Sequence, residues 1–292
     1  MISVVQLGTI DYATGLRLQQ QLVALRKEEN MGDVLLLLEH KPVITLGRNA
    51  KTANVIASPE LLKQRGVELC ECDRGGDVTF HGPGQIVGYP IFDLRSRLGA
   101  EPVVRPGQST TRPESPRKSM GVIEFVRKLE DVLMRTCADS GIPTKRVQGL
   151  TGVWTNPELA ATHVGAAPWV RPVERGSTAA EAKLAAIGVH ISRSVTSHGF
   201  ALNVNTDLSF FDLIVPCGIT TKPVTSMEKE LARKLDLNTV AESISRNFGV
   251  VFQSQILWVD TIDSLLDRKV GVPMKPPAEL RQLHREDETS WA

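Results

Sequence analysis

A cysteine held in a turn is the first candidate for chemistry in this chain. Cys217 lies in the sequence Val-Pro-Cys-Gly-Ile, whose proline and glycine predict a turn rather than a packed face. Cys137 lies on the apolar stripe of a predicted helix, and Cys70 and Cys72 share one face of an extended segment. These three cysteines suit a structural role. A lone cysteine is more often a small buried hydrophobe than a nucleophile, so the turn alone leaves both interpretations of Cys217 open.

Two further segments carry polar groups in positions that packing does not require. The segment 74–85 combines Arg74, a forked cation, with His81, which titrates near neutral pH, and with glycines that let the backbone approach a ligand closely. A tight turn with structural glycines explains this composition equally well. Lys183 opens an otherwise apolar strand, where it is either functional or a lysine that extends from a strand edge to solvent.

The elements that must position these residues are predicted to be short strands mixed with a few helices. Alternating or continuous apolar runs predict strands at 3–7, 34–38, 43–46, 78–80, 87–92, 184–191 and 200–204. Apolar spacing and capping residues predict helices after Asp11, at 60–65, from Val122 to Cys137, and after Asn238. The mixture lacks strict strand–helix alternation, which favours an α+β domain with a mixed or antiparallel sheet.

Length and composition limit the possible classes of protein. The 292 residues are 41% hydrophobic and 23% charged, as in an ordinary soluble globular protein. The net charge of +1 gives no overall positive potential that would attract nucleic acid. The longest apolar run, 34–38, is too short to span a bilayer, and the spacing of the cysteines does not favour a metal site. We predict one domain over 1–270, with insertions at about 98–119 and 156–181 and a loose C-terminal tail at 271–292.

Five blocks of sequence identify a family. RGGDVTFHGPGQIVGYPIFDLR, LEHKPVITLGR, KLAAIGVHISR, HGFALNVN and PCGI resemble the lipoyl/octanoyl transferase family and cover most of residues 1–230. The resemblance implies a biotin/lipoate protein-ligase-like α+β fold, akin to that of class II aminoacyl-tRNA synthetases, with helices flanking a mixed sheet. It also implies an acyltransferase that moves octanoate from acyl carrier protein to lysines of lipoyl domains in E2 subunits and of the glycine-cleavage H protein, the first step of protein lipoylation.

The same resemblance assigns roles to individual residues. The catalytic pair is Cys217, which carries the acyl group as a thioester, and Lys183, which moves protons. A free thiol has a pKa near ~8.5, and a neighbouring ammonium group favours its thiolate. The substrate site comprises Arg74, Gly75, Gly76, Asp77, Val78, Thr79, Phe80, His81, Ala186, Ile187, Gly188, Gly199, Phe200 and Ala201. Gly76 and His81 are expected to border the reacting carbonyl.

Two other functions compete with this one. An ATP-dependent lipoate or biotin protein ligase shares the fold but needs no cysteine nucleophile, and a non-catalytic module would only bind acyl carriers or lipoyl domains. The transferase needs no ATP, metal or other cofactor, since its donor thioester is already activated. We expect a monomer. The large insertions suggest a eukaryotic source and a mitochondrial location, whereas a bacterial protein would be cytoplasmic. His198 is predicted to be structural, and His40 and His190 to be packing or surface residues.

Overall fold

A mixed sheet and a smaller second sheet organise the molecule. The computed structural model describes residues 1–95, 119–162 and 181–266. Its strands are β1 (Ile2–Ile10), β2 (Asp33–His40), β3 (Val43–Leu46), β4 (Glu68–Glu71), β5 (Val78–His81), β6 (Gln85–Ile91), β7 (Thr144–Val147), β8 (Leu150–Thr155), β9 (Lys183–Ser192), β10 (Val195–Asn203) and β11 (Ile256–Trp258). Its α-helices are α1 (Tyr12–Lys27), α2 (Pro59–Gln64), α3 (Val122–Asp139), α4 (Pro157–Thr162), α5 (Met227–Leu231), α6 (Leu237–Phe252) and α7 (Asp263–Leu266).

Among the described residues, the larger sheet has eight strands in the order β11-β1-β2-β6-β10-β9-β8-β7. β1 pairs in parallel with β2 and β11, whereas the pairs from β2 to β7 are antiparallel. The smaller sheet has the order β4-β3-β5, with one parallel and one antiparallel pair. This mixed pairing confirms the predicted α+β class.

Helices cover both faces of the larger sheet. In the central strand β2, Leu35 and Leu37 pack into the cluster that contains α3 and α6, while Leu36 and Leu38 pack on the opposite face against α1. Successive side chains of a strand point to opposite faces, so a strand buried on both sides is a continuous leucine run. None of the helices in the described ranges has the length and apolar composition needed to cross a bilayer.

The predicted helix starts were only partly correct. Asp11 caps α1 as predicted, since its carboxylate accepts a hydrogen bond from the Thr14 backbone N–H. The cap of α6 is Asp236 rather than Asn238, because helical geometry already begins at Leu237.

One helix lies within a predicted insertion. In the stretch 156–181, for which the sequence predicted no element, residues 157–162 form α4; Pro157 suits a first helical turn, and the Asn156 side chain accepts from the Leu159 N–H at 3.5 Å. Of the other predicted insertion only Ser119 is described, and the tail 271–292 lies outside the described residues.

Candidate active site

Cys217 lies in a turn whose backbone is strained. Pro216–Gly218 form a short 3₁₀ turn in which Cys217 has a φ of 56° and Gly218 a φ of 66°. Left-handed backbone is uncommon for a residue with a Cβ atom, and such strain is concentrated at functional sites. A Cβ atom on Gly218 would lie 3.1 Å from an Asp77 carboxylate oxygen, so a larger residue would crowd the loop beside the thiol.

Lys183 meets this thiol from the larger sheet. Its Nζ lies 3.4 Å from Cys217 Sγ, although the two residues are 34 positions apart in the chain. Backbone hydrogen bonds fix the start of β9, since the Lys183 N–H donates to Pro223 O at 2.8 Å and Lys183 O accepts from Thr225 N at 2.9 Å. The side chain is only 7% exposed, so the ammonium group is held in the protein rather than extended into solvent.

The glycine-rich loop is anchored between the sheets. Arg74 Nη2 donates to Thr45 O at 2.7 Å and to Thr45 Oγ1 at 2.9 Å, which ties the loop to β3. On the other side, Gly75 N donates to Val189 O of β9 at 3.1 Å. A Cβ atom on Gly188 would lie 2.5 Å from Gly75 O, so glycine is required there for the two backbones to approach.

One pocket brings together most of the predicted residues. It encloses about 470 Å³ of empty space, part of it open to solvent. The predicted residues that line it are Arg74, Gly75, Gly76, Asp77, Thr79, His81, Ala186, Ile187, Gly188, Gly199, Phe200, Ala201 and Cys217. The loop before β5, the middle of β9 and the middle of β10 therefore converge on one cavity beside the thiol.

Val78 and Phe80 do not belong to this lining. Alternation along β5 directs Thr79 and His81 into the pocket and turns the two apolar side chains to the opposite side. There they join a separate hydrophobic cluster, where the Phe80 ring stacks on Phe210 with 4.7 Å between centroids. Their assignment to the substrate site is corrected accordingly: these side chains support the strand.

Four lining residues were missed from the sequence: Tyr12, Val87, Tyr89 and His198. Val87 and Tyr89 are two positions apart in the predicted strand 87–92, so the strand pattern places both side chains on the same face and could have predicted them together. Tyr12 and Tyr89 are the two tyrosines of the chain, and both line the pocket. His198 was predicted to be structural, but it faces the cavity and its Nε2 lies 2.7 Å from Asp73 Oδ1.

Three residues of the pocket lining pack with His40 in an uncharged cluster, which we call the aromatic cluster; the three are Tyr12, His81 and Tyr89. Burial lowers the pKa of His81 to about 3, with smaller contributions from His40 and Arg74. Burial likewise lowers the pKa of His40 to about 4, and it raises the pKa of both tyrosines. All four side chains are therefore neutral at physiological pH.

Hydrogen bonds hold the aromatic cluster in place. His40 Nε2 lies 2.7 Å from the Tyr89 hydroxyl, and His81 Nδ1 lies 2.7 Å from Gln85 Oε1.

His198, outside this cluster, is also affected by its surroundings: burial lowers its pKa, although Asp73 opposes that shift. Within the three described ranges, no group of three or more histidine, cysteine, aspartate or glutamate side chains is arranged to hold a metal ion.

This fold and site correspond to a known family. The sequence profile of the lipoyl protein ligase A/B catalytic domain matches residues 11–106 and 103–249. The chain therefore belongs to that family and, within it, to the lipoyl/octanoyl transferase group that the sequence blocks predicted.

Similar proteins fall into two sets. An octanoyltransferase of Koribacter versatilis is 54% identical over 98% of both chains, and one of Acidobacterium capsulatum is 50% identical over 91% of this chain and 96% of that protein. Among solved structures, a bi-partite lipoate protein ligase of Thermoplasma acidophilum has a TM-score of 0.57 at 12% identity, covering 91% of this chain and 89% of that one. Lipoate-protein ligase A bound with ATP has a TM-score of 0.57 at 12% identity, over 90% and 91% of the two chains.

The two sets support different conclusions. The structural neighbours, at such low identity, establish the lipoate-ligase-like fold alone. The sequence relatives are bacterial, so the eukaryotic source and mitochondrial location suggested by the insertions have no support, and the cytoplasmic alternative is favoured.

Proposed function

We propose that this chain is an octanoyltransferase that moves an octanoyl group from acyl carrier protein, through a Cys217 thioester, to a lysine of a lipoyl domain. The observation that carries the proposal is the 3.4 Å approach of Lys183 Nζ to Cys217 Sγ beside a partly apolar pocket. Similarity to bacterial octanoyltransferases over nearly the whole chain supports the same reaction. The acceptors would be lipoyl domains of E2 subunits and the glycine-cleavage H protein.

In the first half-reaction the acyl group moves to the enzyme. The Cys217 thiolate attacks the carbonyl carbon of the carrier thioester and forms a tetrahedral intermediate. As that intermediate collapses, the carbon–sulfur bond to the carrier breaks, and the Lys183 ammonium gives its proton to the departing thiolate. The products are an octanoyl thioester on Cys217, a free carrier thiol and a neutral Lys183 amine.

In the second half-reaction the acyl group moves to the target. The neutral amine of the target lysine attacks the Cys217 thioester, an amide bond forms, and the bond to Cys217 sulfur breaks. Lys183 takes the proton that the attacking nitrogen loses, which restores the ammonium and the thiolate. No ATP is required, because the donor is already an activated thioester and the product is a more stable amide.

The pocket is suited to bind the acyl chain and the reacting carbonyl. Apolar lining from Ala186, Ile187, Phe200 and Ala201 would surround the chain, and each methylene that it buries contributes about 0.8 kcal/mol. The N–H of Gly75 is already bonded to β9, so we assign stabilisation of the oxyanion to the N–H of Gly76 beside it.

Intact mass spectrometry tests the acyl-enzyme directly. Wild-type protein mixed with octanoyl-carrier protein should gain the mass of one octanoyl group, and adding a lipoyl domain should remove it. Cys217→Ser should gain no mass and should transfer nothing. An equal gain on Cys217→Ser would contradict the proposed nucleophile.

The two competing functions predict different results. An ATP-dependent ligase would transfer labelled free octanoate to the lipoyl domain only when ATP is present, and that result would overturn the carrier-dependent mechanism. A binding module would bind carrier or lipoyl domain equally well as Cys217→Ser and would transfer no label in either form.

We also propose that the enzyme acts in the bacterial cytoplasm and as a monomer. The bacterial origin of the relatives supports the location. Light scattering of the purified 292-residue chain tests the oligomeric state, and a mass of twice 31.9 kDa would contradict a monomer.

A further inference from the structure

The ammonium group of Lys183 lies over an aromatic ring. Its Nζ is 4.9 Å from the centre of the Trp154 indole, within the range at which a ring face attracts a cation. Trp154 is 1% exposed, and its Nε1 donates to Leu150 O at 3.2 Å. That hydrogen bond and the surrounding core fix the plane of the ring, so the position of the ring face is set by β8.

Glycine at position 152 lets β8 lie close to the start of β9. Gly152 has a φ of 129°, and a Cβ atom there would lie 2.5 Å from Ala185 O, so a larger residue would collide with the β9 backbone. The same Cβ atom would lie 3.5 Å from Lys183 Cε, an ordinary van der Waals distance, so the lysine stem runs directly beside β8 at this point.

The carboxylate that lies nearest in sequence to this lysine is engaged elsewhere. Glu181, two residues earlier, accepts from Lys145 at 2.6 Å and also pairs with Lys222. Within residues 1–95, 119–162 and 181–266, no ion pair to Lys183 is found. A carboxylate beside Lys183 would neutralise the charge that favours a thiolate, whereas an indole face attracts the ammonium without a counter-charge and without accepting its proton.

We propose that Trp154 is a positioning residue, whose indole face holds the Lys183 ammonium beside Cys217 sulfur. The inference rests on the proposed function, in which those two residues carry out the transfer. Trp154 touches neither the donor nor the acceptor; it acts through the lysine. Replacement of the ring should let the flexible lysine side chain leave the sulfur, which weakens both the stabilisation of the thiolate and the proton transfer.

A double-mutant cycle on thiol reactivity tests the contact without any acyl substrate. The rate of Cys217 alkylation by iodoacetamide is measured against pH in wild type, Trp154→Leu, Trp154→Phe, Lys183→Met and the Trp154→Leu/Lys183→Met double variant. Trp154→Leu should move the rise of the profile to higher pH and lower the rate at pH 7 about tenfold, a factor that corresponds to ~1.4 kcal/mol. Trp154→Phe, which keeps a ring, should restore most of that rate.

The cycle also separates positioning from general loosening of the core. In the Lys183→Met background, Trp154→Leu should leave the alkylation profile unchanged, because no ammonium remains to be positioned. Equal shifts in both backgrounds would overturn the proposal. Lys222→Met serves as the matched control: its Nζ is 5.9 Å from the same ring, and its loss should leave the profile within about twofold of wild type.

Single-turnover acylation by octanoyl-carrier protein then connects the contact to the reaction. Trp154→Leu should lower the acylation rate at least as much as the alkylation rate and leave the donor KM nearly unchanged. A rise in KM with an unchanged rate would overturn the positioning role. If wild type is not acylated at all, the proposed function fails, whereas the alkylation cycle still decides whether Trp154 positions Lys183.

Discussion

Two regions at the pocket differ in the charge of their ionisable side chains. At the thiol, an ammonium group lies 3.4 Å from a partly exposed cysteine, next to an open turn. In the aromatic cluster, four ionisable side chains are buried and neutral, with the pKa of His81 lowered to about 3 and that of His40 to about 4. Burial without a counter-charge removes charge from the second region, whereas the first keeps an amino group in contact with a thiol.

This difference separates the tasks of the site. In the proposed transfer, Lys183 beside Cys217 would be the group whose charge changes. The proposed binding of an alkyl chain would need a wall that does not attract water strongly, and the neutral rings and small apolar residues of the lining would provide it. The presence of histidine in a pocket is therefore weak evidence for acid–base chemistry when the histidine is fully buried.

The largest expected effect is the loss of the ammonium beside the thiol. Lys183→Met should slow octanoyl transfer by about 10²–10⁴-fold, since a positioned acid–base group typically contributes that much. Lys145→Met removes a nearby lysine that pairs with Glu181 instead, and it should change the rate by no more than about twofold. Single-turnover transfer measured by quenched mass spectrometry distinguishes them. Similar losses in both variants would mean that overall charge matters rather than contact with the sulfur.

The aromatic cluster should make the protein sensitive to acid. The unfolded state binds protons on His40 and His81 below about pH 6.5, whereas the folded state excludes them until about pH 4 and pH 3. Stability should therefore decrease as pH falls through this window, by about 1.4 kcal/mol per pH unit for each histidine. Urea unfolding measured between pH 7 and pH 4.5 gives the slope.

The variant His81→Gln isolates one of the two contributions. Its free energy of unfolding should depend less steeply on pH than that of wild type, whatever its stability at pH 7. Equal slopes in the two proteins would show that His81 is protonated in the folded state, and the contrast between the two regions would then disappear.

Sequence patterns singled out two residues that the fold brings together. Cys217 and Lys183 do not fit the roles of their neighbours in a turn and a strand, the family resemblance paired them, and their side chains meet at 3.4 Å. Their catalytic roles stay a prediction. The alternation in β5 could also have separated Thr79 and His81 from Val78 and Phe80, since one face of a strand cannot include both sets. The family resemblance assigned the whole segment to the substrate site, and the period of two was the better guide there.

Other features required the fold itself. Asp236 and Asn238 are both good capping residues two positions apart, and packing decides between them: Asn238 Oδ1 instead accepts a hydrogen bond from Gln6 Nε2 at 3.0 Å. The contact of Trp154 with Lys183 depends on pairing between β8 and β9, whose register shifts between Val153 and Trp154. Such an irregularity leaves no simple pattern in either strand.

Acyl chain-length preference tests the uncharged, apolar part of the pocket lining. Ala186 pairs with Ala201 across β9 and β10, and both line the pocket. Ala186→Leu should fill part of the space used by the chain, and the loss of two buried methylenes would cost about 1.6 kcal/mol. Octanoyl transfer should then fall somewhat more than tenfold in kcat/KM, while butyryl transfer from the same carrier is retained. An equal loss for both donors would indicate damage at the thiol instead.

The smallest expected effect concerns the helix that carries Tyr12 into the aromatic cluster. Asp11 caps α1, accepting from Thr14 N at 2.8 Å and from Thr14 Oγ1 at 2.9 Å. Asp11→Ala should lower the free energy of unfolding by about 1 kcal/mol, whereas Asp11→Asn keeps a capping oxygen and should cost only a few tenths. Neither change should alter Cys217 alkylation, because the thiol and its lysine are held by β8, β9 and the turn. A change in alkylation with Asp11→Ala would mean that the two regions of the pocket are coupled through α1.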